Sequence, residues 1–278
     1  MIAEMINRIK GFKKNRFALA STVFLLVITL SAVLAPLIAP YSYYHQDVDR
    51  ILTLPDTYHF MGTDQLGRDV LSRIIYGGRV SIAVGFISSL LALIFGTLYG
   101  GISGYIGGRL DNFLMRIVDI IYSLPDLLLI ILINVVIGRG LGGIILAISL
   151  ISWVSVARLI RGEVLRIKEE TFIEAVKALG ARKRRILFKH ILPNAIGILI
   201  VTLTFRIPVA ILVESSLSFV GLGITPPFSS WGTMANDGWI ALRFYPHLII
   251  FPGFIIFLKI LAFNIIGDIL RDFLEVKD

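Results

Sequence analysis

Residues 81–105 read SIAVGFISSLLALIFGTLYGGISGY and contain no charged side chain. A helix needs about 20 mostly apolar residues to cross a hydrocarbon core of roughly 30 Å, so this stretch can span a bilayer. Five further runs qualify, at approximately residues 18–39, 113–137, 141–158, 195–220 and 247–267. Because the runs are continuous and lack the alternation of barrel strands, the sequence predicts an all-α integral membrane protein with six transmembrane helices.

The composition agrees with a membrane protein. Hydrophobic residues make up 56% of the chain and charged residues only 17%, whereas a soluble domain carries about 25% charged residues. The mean hydropathy is +0.84. These values exclude a disordered tail and argue against a water-soluble enzyme. The chain has no cysteine, so it can form neither a disulfide nor a zinc–thiolate site.

The positions of lysine and arginine predict the orientation. Residues 1–17 carry five basic side chains against one acidic side chain, and residues 158–193 carry ten basic side chains. Cytoplasmic loops hold an excess of Lys and Arg. Six crossings place both segments on the cytoplasmic side, so both chain ends are predicted to lie inside. The net charge of +8 therefore reflects membrane orientation and does not indicate nucleic-acid binding.

The predicted organisation follows from these helices. It comprises a cytoplasmic basic N-terminus (1–17), a first helix (18–39), an extracytoplasmic segment (40–80), a five-helix core (81–270) with a cytoplasmic loop at 169–194, and a cytoplasmic C-terminus (271–278). The first run has full spanning length, and Pro36 would directly follow a signal-peptide cleavage site. Both facts favour an uncleaved helix.

Glycine and proline predict details of the helices. Four glycines recur at a spacing of four and leave a groove for another helix backbone, which predicts a packing seam: Gly96, Gly100, Gly104 and Gly108. Pro125 and Pro208 each remove a backbone hydrogen bond and are expected to kink the third and fifth helices.

Several motifs for other chemistry fail on context. Gly138, Gly140 and Gly143 spell G-x-G-x-x-G, but they lie between two apolar spans and predict an outer hairpin. No lysine is followed by Ser or Thr, so there is no Walker A phosphate loop. The four histidines show no metal-ligand spacing. The sequence therefore predicts no catalytic residue, no metal site and no cofactor in this chain.

The cytoplasmic loop reads EETFIEAVKALGARKRRILFKHILPN over residues 169–194. Thr171 and Glu174 form a capping-box pattern that predicts the start of a helix. Apolar residues then recur at helical spacing and predict one apolar face, at Phe172, Ala175, Val176 and Leu179. Gly180 is placed to end this helix in a left-handed cap.

A second short helix is predicted at approximately 181–191. It should end before Pro193, because the residue preceding a proline disfavours the helical conformation. An element this short cannot bury an apolar stripe by itself. It either lies in the lipid headgroup zone or docks into a groove on a partner, and the sequence leaves both possibilities open.

The run Glu174-Ala175-Val176, followed by Gly180 and by Leu192-Pro193, resembles the "EAA" loop of ABC importer permeases, whose pattern reads E-A-A, three residues, G, nine residues, I-x-L-P. Val176 stands where the pattern has its third small residue, and His190 stands where isoleucine is usual. A histidine followed by I-L-P-N is similar to the dipeptide/oligopeptide/nickel subfamily. Residues 59–81 (HFMGTDQLGRDVLSRIIYGGRVS) and 215–223 (SSLSFVGLG) resemble its C-type permease subunit.

The resemblance implies a non-catalytic permease subunit in the cell (inner or cytoplasmic) membrane, working in a binding-protein-dependent importer of peptides or a related solute. The implied partners are a B-type permease subunit, two cytoplasmic ABC ATPases that bind ATP and Mg, an extracytoplasmic solute-binding protein and the lipid bilayer, with no nucleic acid. Dipeptides, oligopeptides, nickel complexes and oligosaccharides all stay open as cargo.

The resemblance also implies that residues 169–194 form a coupling helix held in a cleft of an ATPase. The residues expected to couple are Phe172, Glu174, Ala175, Val176, Leu179, Gly180, His190 and Pro193. In this interpretation Glu174 offers a charge, Ala175 keeps the contact surface shallow and Gly180 sets the angle between the short helices. The basic run at 182–185 either anchors the loop at lipid phosphates or meets the ATPase.

Charged residues inside spans are functional candidates because they are costly there. Asp126, Arg206 and Glu214 either line a polar pathway for peptide-like solutes or pair between helices to fix the bundle. The segment 40–80 is a platform for the binding protein, a plug over the pathway, or a cap that seals the bundle.

Two other functions were weighed against the importer. A stand-alone channel or secondary transporter often shows inverted repeats, and none is visible here. A membrane-embedded enzyme would need converging His, Asp or Ser groups within the spans, and only scattered ones are present.

Overall fold

The computed structural model describes residues 15–275, so most of the predicted N-terminus 1–17 and the last three residues of the predicted C-terminus 271–278 lie outside it. Within that range the regular structure is helical. The helices are α1 (Arg16–Val33), α2 (Ala35–Ile38), α3 (Val70–Ile106), α4 (Gly108–Tyr122), α5 (Asp126–Ile137), α6 (Leu141–Lys168), α7 (Thr171–Ala178), α8 (Lys183–Arg185), α9 (Leu192–Asn194), α10 (Ile196–Phe219), α11 (Trp231–Ile240) and α12 (His247–Glu275), with a 3₁₀ turn at Val48–Arg50 and a π-helical stretch at Ile186–Ile191.

Five described helices are long and apolar enough to cross a membrane, namely α1, α3, α6, α10 and α12. Helices α4 and α5 together have the length and composition of a sixth span, but they meet at an angle of 88°. The predicted all-helical membrane fold with six spans is confirmed to this extent: five straight spans and one broken pair.

Two helices extend beyond the spans predicted for them, and each extension contains charged residues. Helix α3 begins at Val70 and not near residue 81, because Asp69 caps it by accepting a hydrogen bond from Ser72 N at 2.7 Å. Helix α6 continues ten residues beyond 158, to Lys168. Arg158 and Arg161 bind carboxylates on α4, and Arg166 binds Glu163 and Glu170, so these charges do not terminate the helix.

The third span differs most from the expected kinked helix. Helix α4 ends at Tyr122, residues 123–125 are not helical, and Pro125 is the N-cap of α5. Proline has no N–H to donate and disfavours the helical conformation of the residue before it, which accounts for a complete break at this point. Pro208, by contrast, lies inside the continuous helix α10.

The glycine seam is confirmed for three of its four members. A Cβ added to Gly100 would lie 2.1 Å from Ala157 O, and one added to Gly104 would lie 2.9 Å from Arg161 O. Gly96 faces the same backbone at Trp153 O. Helices α3 and α6 therefore pack backbone to backbone. Gly108 faces open space and begins α4.

Four apolar clusters of the described residues hold the bundle together, and two of them are the largest. One lies at the outer end and includes Val84, Ile148 and Leu217. The other includes Val156 and Ile160 of α6 together with buried residues of the cytoplasmic loop, so it fixes that loop to the bundle. Many large apolar side chains of the spans remain exposed, including Leu26, Phe95 and Phe257. This pattern suits helices that face lipid or another membrane subunit.

Candidate functional site

Helix α7 lies at the centre of residues 169–194, called the coupling loop below. The predicted capping box was wrong. Thr171 is the first helical residue and Glu170 is the N-cap, whose side chain accepts no capping hydrogen bond. Glu174 therefore lies one position too far into the helix to reach back to the N-cap. The helix starts where predicted, but a different residue precedes it.

Helix α7 has two apolar faces instead of the single predicted stripe. Ile173 is 0% exposed and, with the half-buried Val176, packs into the inner cluster. Phe172 and Leu179, in contrast, are 40% and 86% exposed, and Ala175 between them is also exposed. We call Phe172, Ala175 and Leu179 the coupling face. The buried face anchors the helix, and the described chain covers the coupling face only in part.

Gly180 ends α7 as predicted. Its φ of +76° lies in the left-handed region, its N–H donates to Lys177 O at 2.9 Å, and the N–H of Ala181 donates to Val176 O at 3.3 Å. These two bonds form a Schellman motif. A Cβ at Gly180 would meet nothing within 4 Å. Glycine is therefore favoured here by backbone conformation and not by lack of space.

The second short helix was predicted at 181–191, and the prediction of its end was wrong. Helical structure starts at Lys183, passes through the π-helical stretch and continues across Pro193, with Leu192 at φ −60° and ψ −39°. Pro193 lies in the first turn of α9, where a missing N–H costs little. Only Ala195, with ψ near zero, separates this segment from α10. The coupling loop therefore runs directly into the fifth span.

The remaining predicted coupling residues lie on this second segment. His190 is half-buried, and its carbonyl accepts a hydrogen bond from Asn194 Nδ2 at 2.5 Å. Pro193 is exposed. Ile186, Leu187 and Ile191, which the sequence analysis did not select, fix the segment to the inner cluster. Their burial could have been expected from apolar residues recurring one turn apart. The basic residues at 182–185 are exposed.

Two of the three charges predicted within the spans lie near each other. The Arg206 guanidinium donates a hydrogen bond to Ser155 Oγ on α6, and Asp126 and Tyr122 lie within electrostatic range of it. No described carboxylate is close enough to form an ion pair with Arg206. Asp126 is exposed in the first turn of α5, beside the break.

Glu214 lies in a different environment. It is 0% exposed, and its Oε1 accepts hydrogen bonds from Ser218 Oγ at 2.8 Å and from Ser230 Oγ at 2.5 Å. Ser230 is the N-cap of α11. Glu214 therefore ties α10 to α11 and lies away from the polar groups around Arg206.

Lys259 is a buried charge in the sixth span that the sequence analysis missed. Its side chain is 1% exposed, and its Nζ lies 4.6 Å from the centre of the Trp231 ring with no hydrogen-bond partner among the described residues. The signal was available, because Lys259 is the charged residue within the apolar run 247–267. Its contact with Trp231 could not be read from that run.

The predicted extracytoplasmic segment 40–80, called the outer segment below, is held by buried polar contacts. Asp69 accepts from Ser72 N and also contacts His59 Nδ1 at 2.9 Å. Ser72 Oγ in turn accepts from Tyr41 N at 3.0 Å. These contacts fix the start of the segment against the first turn of α3.

A second set of contacts ties the outer segment to α11. The Asp64 carboxylate accepts hydrogen bonds from two backbone groups of its own loop, Leu66 N and Arg68 N. It also accepts from two side chains, Arg68 Nε at 2.7 Å and the buried Arg73. Arg73 and Arg68 also reach Asp237 of α11, at 3.4 Å and 3.8 Å. The same groups line one side of a cavity of about 650 Å³ between the outer segment and residues 221–237.

Comparison with protein families gives two matches. Residues 92–277 match the family model described as "Binding-protein-dependent transport system inner membrane component". Residues 8–55 match the model described as "N-terminal TM domain of oligopeptide transport permease C". The first match covers more than half of the chain.

Relatives are similar over nearly the full length. The chain is 45% identical to the dipeptide transport system permease protein DppC of Bacillus subtilis (strain 168), over 96% of this chain and 84% of the relative. It is 42% identical to the oligopeptide transport system permease protein OppC of the same strain, over 96% and 87%. It is 39% identical to the glutathione transport system permease protein GsiD of Pectobacterium atrosepticum, over 96% and 89%.

Among solved structures, the inward-facing MetNI methionine ABC transporter is similar. The TM-score is 0.58 at 21% sequence identity, and the alignment covers 72% of this chain and 96% of that chain. At this identity the likeness concerns the fold of the helical core.

Proposed function

Since the chain belongs to the family of binding-protein-dependent transport system inner membrane components, we propose that it is the C-type permease subunit of an ABC importer for dipeptides or oligopeptides. The named transport systems of its relatives support this cargo class. The proposed partners are a B-type permease subunit, two cytoplasmic ATPases that bind and hydrolyse ATP, and an extracytoplasmic solute-binding protein. The proposed location is the cytoplasmic membrane.

The observation that carries the proposal is the division of α7 into an anchored face and the coupling face. Burying Ile173 contributes about 1.5–3 kcal/mol to holding the helix on the bundle. Phe172 and Leu179 leave apolar area exposed on the opposite side, which a helix-in-groove contact would cover. An ATPase cleft is the proposed groove, with Ala175 keeping the surface low and Glu174 beside it as the charged contact.

The second segment of the coupling loop offers a route for motion. A groove that pulls on α7 displaces the inner cluster, in which Ile173, Ile186 and Ile191 pack together with α6. The segment continues into α10 after Ala195. Displacement of the coupling loop would therefore be transmitted to the fifth span. His190 and Pro193 lie in this transmitting segment.

The proposed solute pathway passes the exposed Asp126 and the half-buried Arg206. Glu214 is enclosed between α10 and α11 in the described conformation. It joins the pathway in the proposal only in a conformation that moves α11 aside, because Ser230 of α11 covers it.

Reconstitution tests the proposal directly. We expect proteoliposomes holding the chain with its permease and ATPase partners to accumulate a radiolabelled dipeptide only when ATP is inside and loaded binding protein is outside. The control is the same assembly with an ATPase subunit that cannot hydrolyse ATP. Uptake by the chain alone without ATP would instead identify a channel or a secondary transporter and would refute the importer.

A further inference from the structure

The break between α4 and α5 lies deep in the membrane. Asp126 is eleven residues before the outer end of α5 at Ile137, which corresponds to about 17 Å along the helix. Arg206 is thirteen residues before the outer end of α10 at Phe219, or about 20 Å. A hydrogen bond from Asn134 Nδ2 to Leu222 O, at 2.9 Å, holds the last turn of α5 beside the residues that follow α10.

Helix α6 gives an independent estimate of the same depth. Ser155, which binds Arg206, is fourteen residues from the start of α6 at Leu141, or about 21 Å. Three helices thus place the break, Asp126 and Arg206 more than halfway through a hydrocarbon core of roughly 30 Å.

The non-helical backbone at this depth cannot face lipid. Residues 123–125 are exposed on the surface of the chain, as are Tyr122 and Asp126 on either side. Irregular backbone within the hydrocarbon region is tolerated only where it is buried in protein or lines a water-filled cavity. The surface at 122–126 must therefore face the partner permease or water, and it carries a charge.

Arg206 and Asp126 differ from the arginine–carboxylate pairs at the α4–α6 contact. Arg158 forms an ion pair with Asp119, and Arg161 pairs with Asp111 at 2.6 Å. Arg206 and Asp126 have opposite charges and interact electrostatically, yet they form no ion pair. Asp126 is exposed and Arg206 is half-buried with a serine hydroxyl as its hydrogen-bond partner. Neither group has a counter-charge in direct contact, so each can bind a charge from outside the chain.

We propose that the break at residues 123–125, with Arg206 and Asp126, forms a subsite for a zwitterionic solute in the membrane pathway. Arg206 contacts the carboxylate of the solute and Asp126 contacts its ammonium group. Short peptides with free termini carry this pair of charges. The inference rests on the proposed function, because it requires that a solute crosses along this chain.

Because the natural chain has no cysteine, a single introduced cysteine reports on the break without background. Ser123→Cys is placed in the chain within the assembled transporter, and its modification is followed with methanethiosulfonate reagents that carry either a sulfonate or a trimethylammonium group. Val48→Cys in the outer segment is the water-exposed control, and Leu26→Cys at the middle of α1 is the membrane-facing control. Modification is read on this chain alone.

The expected result is modification of Ser123→Cys by both reagents in at least one nucleotide state, with Leu26→Cys unmodified. Adding Arg206→Gln lowers the sulfonate-to-trimethylammonium rate ratio about tenfold, and Asp126→Asn raises it, since charges that line a cleft change local ion concentration by this order. Arg206→Lys restores the ratio if Arg206→Gln folds poorly. Arg158→Gln, which removes a paired arginine nearby, leaves the ratio unchanged.

Three results would overturn the subsite. Ser123→Cys could stay unmodified in every nucleotide state while Val48→Cys reacts, which would place the break against protein. The rate ratio could be the same with and without Arg206 and Asp126. A dipeptide with free termini, supplied on loaded binding protein, could slow the modification no more than its doubly blocked analogue does. Wild-type uptake that needs ATP and binding protein would leave the importer standing in each case.

Discussion

The outer segment and the coupling loop lie on opposite sides of the predicted membrane. They differ in which side chains they bury and which they leave exposed. In the outer segment one cluster of charged groups is largely buried and its members bind one another, as Asp64 does with Arg68 and Arg73. In the coupling loop the apolar residues Phe172 and Leu179 are exposed, and the helix that carries them is held only by its other face.

The difference separates stability from interaction. A region whose polar groups are internally paired contributes to the fold, and a substitution there should destabilise the protein. A region that leaves apolar area uncovered needs a partner, and a substitution there should reduce coupling while the protein stays folded. Each prediction below tests this separation.

The largest effect is expected for Asp64→Asn. It leaves two arginines, one of them the buried Arg73, without their shared carboxylate, and breaking a buried pair in this way costs about 3–5 kcal/mol. Unfolding of the purified chain in a denaturing-detergent titration measures the loss. Asp49→Asn, at an exposed position of the same segment, is the matched control and should change stability by less than about 0.5 kcal/mol. Equal values for the two variants would refute the internal pairing.

The next effect is expected within α7. Ile173→Ala on the buried face should destabilise the loop by about 2–5 kcal/mol, as for other large-to-small changes in a packed core. The measurement is hydrogen exchange over residues 169–194. Lys177→Ala serves as the control on the same helix. Unchanged exchange in Ile173→Ala would show that the inner cluster does not hold α7.

Ala175→Trp tests the coupling face. The added ring projects from an exposed position, so the free energy of unfolding should change by less than about 0.5 kcal/mol. ATP-driven dipeptide uptake should nevertheless fall at least tenfold, because the bulky side chain prevents the shallow contact with the ATPase. Uptake and ATPase rate are measured together in proteoliposomes. Normal uptake would count against docking through this face.

The smallest effect on coupling is expected at Gly180. Gly180→Val forces a branched side chain into a left-handed conformation, which costs about 1–2 kcal/mol, although there is space for its atoms. We expect normal insertion and reduced coupling, since the angle after α7 changes. Gly180→Asn, which tolerates this conformation, should retain most of the uptake. Equal uptake by both variants would show that the backbone conformation of the cap does not affect coupling.

The sequence predicted the helices well because spanning length and hydropathy are local properties. It predicted the Gly180 cap and the glycine seam for the same reason, since each depends on one backbone conformation or one periodic row. Helices α3 and α6 extend beyond the predicted spans for different reasons. Asp69 caps α3 through a local hydrogen bond from Ser72 N, whereas Arg158 and Arg161 of α6 bind carboxylates on α4. Such pairing cannot be read from spacing.

The candidate site was predicted in part. The coupling loop was located, but the division of α7 into two faces depends on tertiary contacts of Ile173. Helical structure continues from the π-helical stretch through Pro193, where local preference predicted that the helix would end. For the charges in the spans, composition identified Arg206 and Asp126 but not that they lie near each other, while Lys259 went unnoticed among apolar neighbours.

Site-specific crosslinking from the coupling face tests the central claim most directly. Leu179→Cys, in the otherwise cysteine-free chain, is joined to a short bifunctional reagent in the intact transporter, with Val48→Cys on the outer segment as the control. The account predicts an adduct between Leu179→Cys and an ATPase subunit, with none from Val48→Cys. An adduct of Leu179→Cys with lipid alone, or its labelling from the external side of the membrane, would contradict it.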